Sequence, residues 1–364
     1  MGMLARRQHT GMIKSQSEHH SSEDNHNDRP GIEYRIFGRK DAVLEQLIKS
    51  GGHYLSGAKL AQELCLSRTA VWKAIEELRR DGYQISAVTN KGYTLIEQGN
   101  RLSLPAIRSF LRREAITEQI RLYPSLVSTN QTAKQLALEG APSGTIVLAD
   151  EQTGGRGRRG RSFFSPPGTS VYFTVIFRSE LAADRAVMIT TAASVAAARA
   201  VDRVTGGDPS AQIKWINDVY LGGKKICGIL TDAVTNMENG SFEYIVVGIG
   251  ININNKAEDF PEEFRDRAGS LFSVTGKRYD RNRMAAALAD EIADILPHFS
   301  SGDYLKEYRS RSCVIGRSIL IFGGGHDGTP ATAVDIDEHG YLLARGRQGE
   351  LYTLNSGEIT IRAH

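Results

Sequence analysis

Gly155-Arg156-Gly157-Arg158-Arg159-Gly160-Arg161 runs directly into Ser162-Phe163-Phe164-Ser165-Pro166-Pro167-Gly168, and no other stretch restricts the fold as much. The glycine spacing matches the GxGxxG of dinucleotide-binding domains, a motif that functions only where it opens a helix. Two prolines ahead of a β-rich run forbid that helix, since proline removes a backbone donor and clashes with the preceding turn. A dinucleotide-binding turn is therefore excluded here. What remains is a loop whose glycines permit φ > 0, so that successive N–H groups converge on an anion while the guanidiniums supply bidentate donors. Such a loop suits a phosphate or an adenylate; a solvated basic loop is the alternative.

Further stretches give the loop a chemical setting. Lys214-Trp215-Ile216-Asn217-Asp218, then Gly222-Gly223-Lys224-Lys225-Ile226-Cys227-Gly228-Ile229-Leu230, reads as strand, tight polar turn and strand. A hairpin of this sort delivers a lysine with a buried stem beside its turn, although a strand lysine is also an ordinary surface charge. Upstream, Ser128-Thr129-Asn130 precedes an amphipathic helix from Gln131 to Glu139, where small hydroxyl and amide side chains serve as N-caps whether or not they bind anything. Gly248-Ile249-Gly250-Ile251-Asn252-Ile253-Asn254 ends a long strand with alternating glycines. Those glycines either let a purine approach the backbone, with Asn252 reading its edge, or thin the strand for packing.

At 364 residues with 40% hydrophobic content, the chain has room for two or three domains with real cores. A net charge of +3 is too small to imply nucleic-acid binding, so any basic surface is local. The cysteines, Cys65, Cys227 and Cys313, are three, far apart and without CxxC or a histidine at metal spacing, which fits a reduced, cytoplasmic chain. The Ala-rich run from Ala182 to Val201 is interrupted by Asp184, Arg185, Thr190 and Arg199 and reads as a soluble helix, leaving no membrane span. Residues 1–38 are polar, His-rich and without an apolar signal core, and are expected to be a disordered extension. His19, His20 and His26 lie in it as solvated residues or chelators.

Residues 39–97 read as a DNA-binding winged helix-turn-helix. Val43-Leu44-Leu47-Ile48 marks one amphipathic helix, Ser56-Gly57 starts a second, and Ser67 caps a third. In that third helix Ala70, Val71, Ala74, Ile75 and Leu78 face inward, and Arg68, Thr69, Trp72, Lys73, Glu76, Arg79 and Arg80 line the opposite face. Tyr83–Val88 and Tyr93–Ile96, joined at Thr89-Asn90-Lys91-Gly92, form the wing. Gly57, Ser67, Arg68, Thr69, Trp72 and Lys73 are the candidate duplex contacts, with Lys91 against phosphate at the wing tip. A three-helix docking domain with a solvated basic face is the alternative.

Residues 98–312 alternate helix and strand, with strands expected at Gly144–Asp150, Val171–Arg178, Gln212–Ile216, Lys225–Ala233 and Phe242–Asn252. Helices are expected near Gln131, over Ala182–Val204 and over Arg283–Phe299, giving an α+β domain with a mixed or antiparallel sheet, one face covered by helices and the other free for a ligand. Residues 313–364 show short alternating runs between glycine turns and predict a small SH3-like barrel.

In this order, Ser128-Thr129-Asn130, Gly155 to Gly160 and Lys214 to Asp218 resemble the biotin protein ligase family, over about Lys40 to the C-terminus. The winged helix resembles that of its bifunctional members. The resemblance implies activation of the biotin carboxylate by ATP to biotinyl-5′-AMP, then transfer to a lysine of a biotin carboxyl carrier protein. It also implies repression of biotin synthesis genes at an operator by an adenylate-bound homodimer. On this resemblance Ser128, Thr129, Asn130, Gln152, Gly155, Arg156, Gly157, Arg158, Lys214 and Gly228 bind biotin, while Arg158, Lys214, Asn217, Asn252 and Arg362 bind ATP. Lys214, Arg156 and Arg158 carry the catalytic charge. Mg²⁺ would accompany the phosphates and needs no dedicated cage of protein ligands. Ile216 stands where the family often has proline, which removes a φ constraint beside Lys214. Cys227 is expected to be buried and inert. A lipoate ligase on the same scaffold and a non-enzymatic, nucleotide-sensing repressor are the alternatives.

Overall fold

The computed structural model describes residues 38–97, 101–178, 185–235 and 242–361. Residues 1–37 of the expected N-terminal extension, residues 182–184 at the start of the helix expected from Ala182, and Arg362 lie outside the described residues.

The first compact element set is α1 (Arg39–Lys49), α2 (Gly57–Glu63), α3 (Arg68–Arg80) and the antiparallel pair β1 (Gln84–Val88) and β2 (Gly92–Glu97). Ser56 Oγ accepts from Lys59 N and Ser67 Oγ from Ala70 N, each at 3.1 Å, so serine caps start both helices of the helix-turn-helix. The helices close over Val43, Leu44, Leu47, Leu60, Val71, Ile75 and Leu78, all buried. Leu55 bridges Tyr93 as a short third strand. Gly92, at φ +106°, lies so close to the Leu55 carbonyl that any side chain there would overlap it. Arg79 departs from the expected outward face. Its Nε and Nη2 donate to Ile85 O at 3.1 and 2.8 Å and tie α3 to the wing.

After β2 the chain forms α4 (Leu104–Phe110), a 3₁₀ turn at Glu114–Gln119 and β3 (Ile120–Tyr123), none of them expected. Next come α5 (Thr129–Leu138), β4 (Ile146–Ala149), β5 (Ser170–Phe177), α6 (Ala186–Thr205), β6 (Gln212–Lys214), β7 (Asp218–Leu221), β8 (Lys224–Thr235) and β9 (Phe242–Asn252). The short helices α7 (Glu262–Arg265) and α8 (Leu271–Thr275) lead to α9 (Arg281–Ile295) and α10 (Leu305–Ser310). Seven strands make one mixed sheet in the order β3-β4-β5-β9-β8-β7-β6, with only β3 and β4 parallel.

Two sequence expectations are corrected. The strand expected over Gln212–Ile216 stops at Lys214, because the motif is itself the turn between β6 and β7, with a cis Trp215–Ile216 peptide. The helix expected to end at Phe299 gives way to a 3₁₀ turn at Leu296–Ser301, since Pro297 cannot supply the N–H that would continue the α-helix. The alternation of β4 and β9 sorts their side chains between two cores. Ile146, Leu148, Val247 and Ile249 pack under α6 and α9, whereas Val147, Ala149, Tyr244 and Val246 pack with Ala133 and Ala137 of α5. Helices thus cover both faces, not one, and α5 leaves only part of its face open.

The last strands, β10 (Ser318–Gly323), β11 (His326–Ile336), β12 (Leu342–Gly346), β13 (Leu351–Leu354) and β14 (Glu358–Ile361), form a wholly antiparallel sheet in the order β13-β12-β11-β10-β14. No helix among the described residues is long and apolar enough to cross a membrane.

Candidate functional site

The open part of the large sheet carries a cavity of about 540 Å³. Its floor follows from strand periodicity: Gly248, Gly250 and Asn252 share one face of β9, and Gly250 pairs in register with Gly228 of β8. The Phe163 ring lies over that glycine pair, and a Cβ on Gly250 would stand 2.5 Å from it. Asn130 covers Gly248 in the same way, so closely that a methyl group there would overlap its side-chain oxygen.

A polar ladder lines the cavity. Thr129 N and Oγ1 both donate to Gln152 Oε1, at 2.8 and 3.1 Å, and Gln152 Nε2 donates to Ser165 Oγ at 3.2 Å. Thr174 Oγ1 lies 2.8 Å from both Thr129 Oγ1 and Asn130 Oδ1. Asn130 Nδ2 is held by Leu230 O and Asp232 Oδ2, each at 3.2 Å, so this amide fastens α5 to the sheet. Ser128 is the N-cap of α5 by position but makes no side-chain capping bond, and it lines the cavity. Gly248→Ala is expected to displace the Asn130 amide and cost about 1–3 kcal/mol, the range for a buried polar group losing its partner. Thermal unfolding checks this, and an unchanged midpoint would contradict it.

The arginine loop springs from beside the ladder, where Gly155 adjoins Ser165 and Gln152, and borders the same cavity. Phe163 N donates to Gly155 O at 2.9 Å, Gly157 N to Arg161 O at 2.7 Å, and Arg156 bridges Ser162, so the loop is a closed hairpin. This replaces the expected convergent nest, because Gly157 N–H is already used. Positive φ falls on Arg159 (56°) and Gly160 (73°), not on Gly155 or Gly157. Gly155 lies behind the wall; a Cβ there would come within 2.5 Å of Ser165 Oγ and 2.7 Å of Phe163 O. Arg156, Gly157, Arg158 and Arg161 line the cavity. Arg158 clamps the loop, donating from Nη1 to Asn217 Oδ1 at 3.1 Å and from Nη2 to Gly357 O at 3.0 Å. Burial lowers its pKa, against the raising effect of Asp218 and Glu358.

Lys214 is the last residue of β6 and pairs in register with Asp218. Its turn is anchored on several sides. Trp215 Nε1 donates to Gly340 O at 3.0 Å, and Tyr308 Oη and Ser194 Oγ each reach Ile216 O at 3.3 Å. These bonds hold the turn where a proline would have restricted φ. Burial lowers the Lys214 pKa; Asp218 opposes that shift and Lys225 reinforces it. Asn217 Nδ2 donates to Ile229 O at 2.7 Å, which turns its Oδ1 to Arg158. Asn252 lines the cavity with its Nδ2 bonded to Gly269 O at 3.0 Å. Cys227 is buried, and burial raises its thiol pKa.

The structure adds residues that the sequence did not single out. Lys225 Nζ lies 2.6 Å from Asp218 Oδ1. Glu358 of β14 faces the arginine loop, 3.0 Å from Arg161 and 3.6 Å from Arg159, and Glu358, Ile359 and Thr360 form part of the wall. Phe163 and Tyr172 supply apolar surface. The period-2 alternation of β5, which puts Tyr172 on the same face as Thr174, is a signal that could have found Tyr172; nothing local points to Glu358.

On the opposite side of the chain from these strands in sequence, Arg68, Thr69, Trp72 and Lys73 are exposed together on α3, Trp72 at 53%. Lys91 is exposed at the β1–β2 turn. Ser67 is engaged as the cap, and Gly57 packs near Tyr93.

Three family profiles match the chain in order: an HTH domain over 39–94, the Biotin/lipoate A/B protein ligase family over 122–252, and the Biotin protein ligase C terminal domain over 314–362. The chain is 40% identical over 316 residues to the bifunctional ligase/repressor BirA of Bacillus subtilis, across 85% of this chain and 95% of that protein. It is 29% identical to the Escherichia coli protein of the same name over 86% and 95%. The biotin protein ligase of Aquifex aeolicus, solved in complex with biotin and ATP, superposes with a TM-score of 0.56 at 26% identity, covering 67% of this chain and 99% of that one. The arginine loop, the lysine turn and the N-terminal winged helix sit within this match, and the chain belongs to the biotin protein ligases of the bifunctional ligase/repressor kind.

Proposed function

We propose that the chain joins biotin to AMP from ATP, passes the biotinyl group to a lysine of a biotin carboxyl carrier protein, and represses biotin synthesis genes as an adenylate-bound cytoplasmic homodimer. The carrying observation is that Lys214, Arg158 and Asn217 line the same cavity as the Thr129–Gln152 ladder. A neutral ureido ring suits the ladder, with Ser128 and Gln152 as partners, and the valerate chain suits the apolar wall formed by Phe163 and Tyr172.

The carboxylate attacks the α-phosphorus and pyrophosphate leaves, so charge builds on the nonbridging and leaving oxygens. Fixed cations in a half-buried site stabilise that charge without reorganising. Lys214 bridges carboxylate and phosphate, Arg156 and Arg158 close over them, and Asn252 lies on the nucleotide side, to which the family resemblance also assigns Arg362, outside the described residues. In the second step the acceptor amine attacks the mixed-anhydride carbonyl and AMP leaves. Among the described residues no three His, Cys, Asp or Glu side chains cluster as a metal site, while Asp218 and Glu358 are the carboxylates on the wall. Mg²⁺ would be held chiefly by phosphates and water, with Asp218 as the protein carboxylate available to it, and would supply positive charge for the leaving pyrophosphate.

Pyrophosphate release that requires biotin and ATP together tests the ligase reading; release with lipoate in place of biotin, or none, would reject it. For the winged helix, Arg68→Ala is expected to weaken operator-duplex binding by about 1–3 kcal/mol, and Lys91→Ala to reduce the salt slope by about 1. Titrations at several salt concentrations read both, and unaltered slopes and affinities would exclude this face. In this reading residues 98–312 are the ligase and residues 313–364 an SH3-like barrel capping it.

A further inference from the structure

Among the described residues, Arg281 is the largest fully buried side chain, and it lies outside every motif discussed so far. Its Nη2 stands 2.7 Å from Asp150 Oδ1 and its Nε donates to Ser170 O at 2.8 Å. Asp150 is the residue that follows β4. Two positions on, Gln152 presents Oε1 to Thr129 in the polar ladder of the cavity. Arg281 therefore pins the β4 exit, which carries Gln152, against the start of β5. A buried ion pair is weak evidence for stability, since apolar residues of similar volume often serve as well; fixing a geometry is the better-attested use.

The adjoining residues point elsewhere. Tyr279 and Asn254, just beyond β9, exchange two hydrogen bonds, Tyr279 N to Asn254 Oδ1 at 3.0 Å and Asn254 Nδ2 to Tyr279 O at 2.8 Å. Asn282, fully buried, accepts from Ser103 N at 2.9 Å and donates to Arg101 O at 3.0 Å. Arg101 and Ser103 belong to the segment that joins the winged helix to the large domain, and Arg101 reaches back into it. Arg101 Nη1 donates to Asp81 Oδ1 at 3.1 Å at the C-terminal cap of α3. Asp81 also holds Lys40 of α1 at 2.6 Å. Residues 279–282 are thus bonded to the ends of three strands bordering the cavity and, through one buried amide, to the segment that sets the winged helix.

We infer that the first turn of α9 is a shared bracket, with Arg281 positioning the turn that carries Gln152 and Asn282 positioning the winged helix, so that ligand occupancy and duplex affinity are coupled through it. Coupling between distant sites needs a contiguous physical connection whose arrangement both sites bias, and this turn is bonded to both sides. The inference rests on the ligase and repressor reading above.

Amide hydrogen exchange on the full chain, with and without biotin plus ATP, and duplex titration under the same conditions, test it. In the wild type, protection is expected to rise around Thr129 and Gln152 and also at residues 101–104. In Asn282→Ala, the rise at the cavity should persist, while that at 101–104 and the ligand-dependent gain in duplex affinity should fall by about 5-fold or more. Arg101→Gln, at an exposed position that leaves the buried amide in place, should reduce the same gain if Asn282→Ala does not fold. Arg281→Lys, which keeps the charge but loses the Nε donor, should raise the biotin KM about 5-fold at little change in kcat. Protection confined to the cavity in the wild type, or a full ligand-dependent gain in the Asn282 and Arg101 variants, would overturn the bracket while leaving the ligase reading intact. No protection at Thr129 and Gln152 would instead remove the ligase reading, and the bracket with it.

Discussion

Replacing Lys214 by methionine is expected to lower biotin-dependent pyrophosphate release by about 10²–10³-fold, the loss typical of a single preorganised group that stabilises transition-state charge. The same change is expected to make the protein more stable at neutral pH. Burial holds the Lys214 pKa below that of an ordinary lysine, with Lys225 adding to the shift. The folded state therefore binds this proton less tightly than the unfolded chain, so a charged Lys214 opposes folding below the folded-state pKa. That cost is relieved as pH rises through the folded-state pKa toward the unfolded value. Methionine keeps the stem and removes the charge. Activity of the wild type should fall on the alkaline side at a pH below the usual lysine range, and Lys214→Arg should move that limb upward in whatever activity it retains. Equal unfolding midpoints for wild type and Lys214→Met at pH 7, with unchanged turnover, would refute the assignment.

Arg158→Gly should act differently. Arg158 joins the arginine loop to the lysine turn through Asn217 and to the last sheet through Gly357. Removing it leaves Arg156 and Arg161 in place but cuts both ties, so the loop loses its clamp while the attacking carboxylate keeps Lys214. The expected outcome is faster escape of the adenylate, seen as an increase of about 10-fold or more in its appearance in solution, from the loss of two charge-assisted bonds each worth about 1.5–3 kcal/mol. Adenylate formation should decline less than in Lys214→Met. A trapping assay with hydroxylamine or a non-cognate amine reads the escape; retention equal to wild type would contradict the clamp.

The chemistry of the cavity was legible wherever its parts are local in sequence. Arg156 to Arg161 and Lys214 to Asp218 are each complete within a few residues, whereas the alternating β9 glycines left a ligand surface and a strand thinned for packing both open. The helix-turn-helix was legible for the same reason, since two serine caps and a 3.6-residue apolar period define it. Several features lay beyond that reach. The wall contributed by Glu358 and the bond from Arg158 to Gly357 join positions about 200 residues apart. The turn at Trp215-Ile216-Asn217 was read as strand because its apolar residues suit one, and only its anchoring by Gly340, Tyr308 and Ser194 shows otherwise. Arg281 gave no signal at all, because a lone arginine at a helix start looks like a solvated charge until its burial is seen.

The participation of β14 in the wall has a consequence for synthesis on the ribosome. The ladder, the arginine loop, the lysine turn and the glycine floor all lie within residues 128–252, whereas Glu358, Ile359 and Thr360 emerge more than a hundred residues later. A nascent chain that has already folded its large sheet thus presents the collar of arginines without the carboxylate that Arg159 and Arg161 face. Until the final strand docks, Arg159 and Arg161 lack that carboxylate, so the charge balance of the collar is completed only by the last part of the chain to be made.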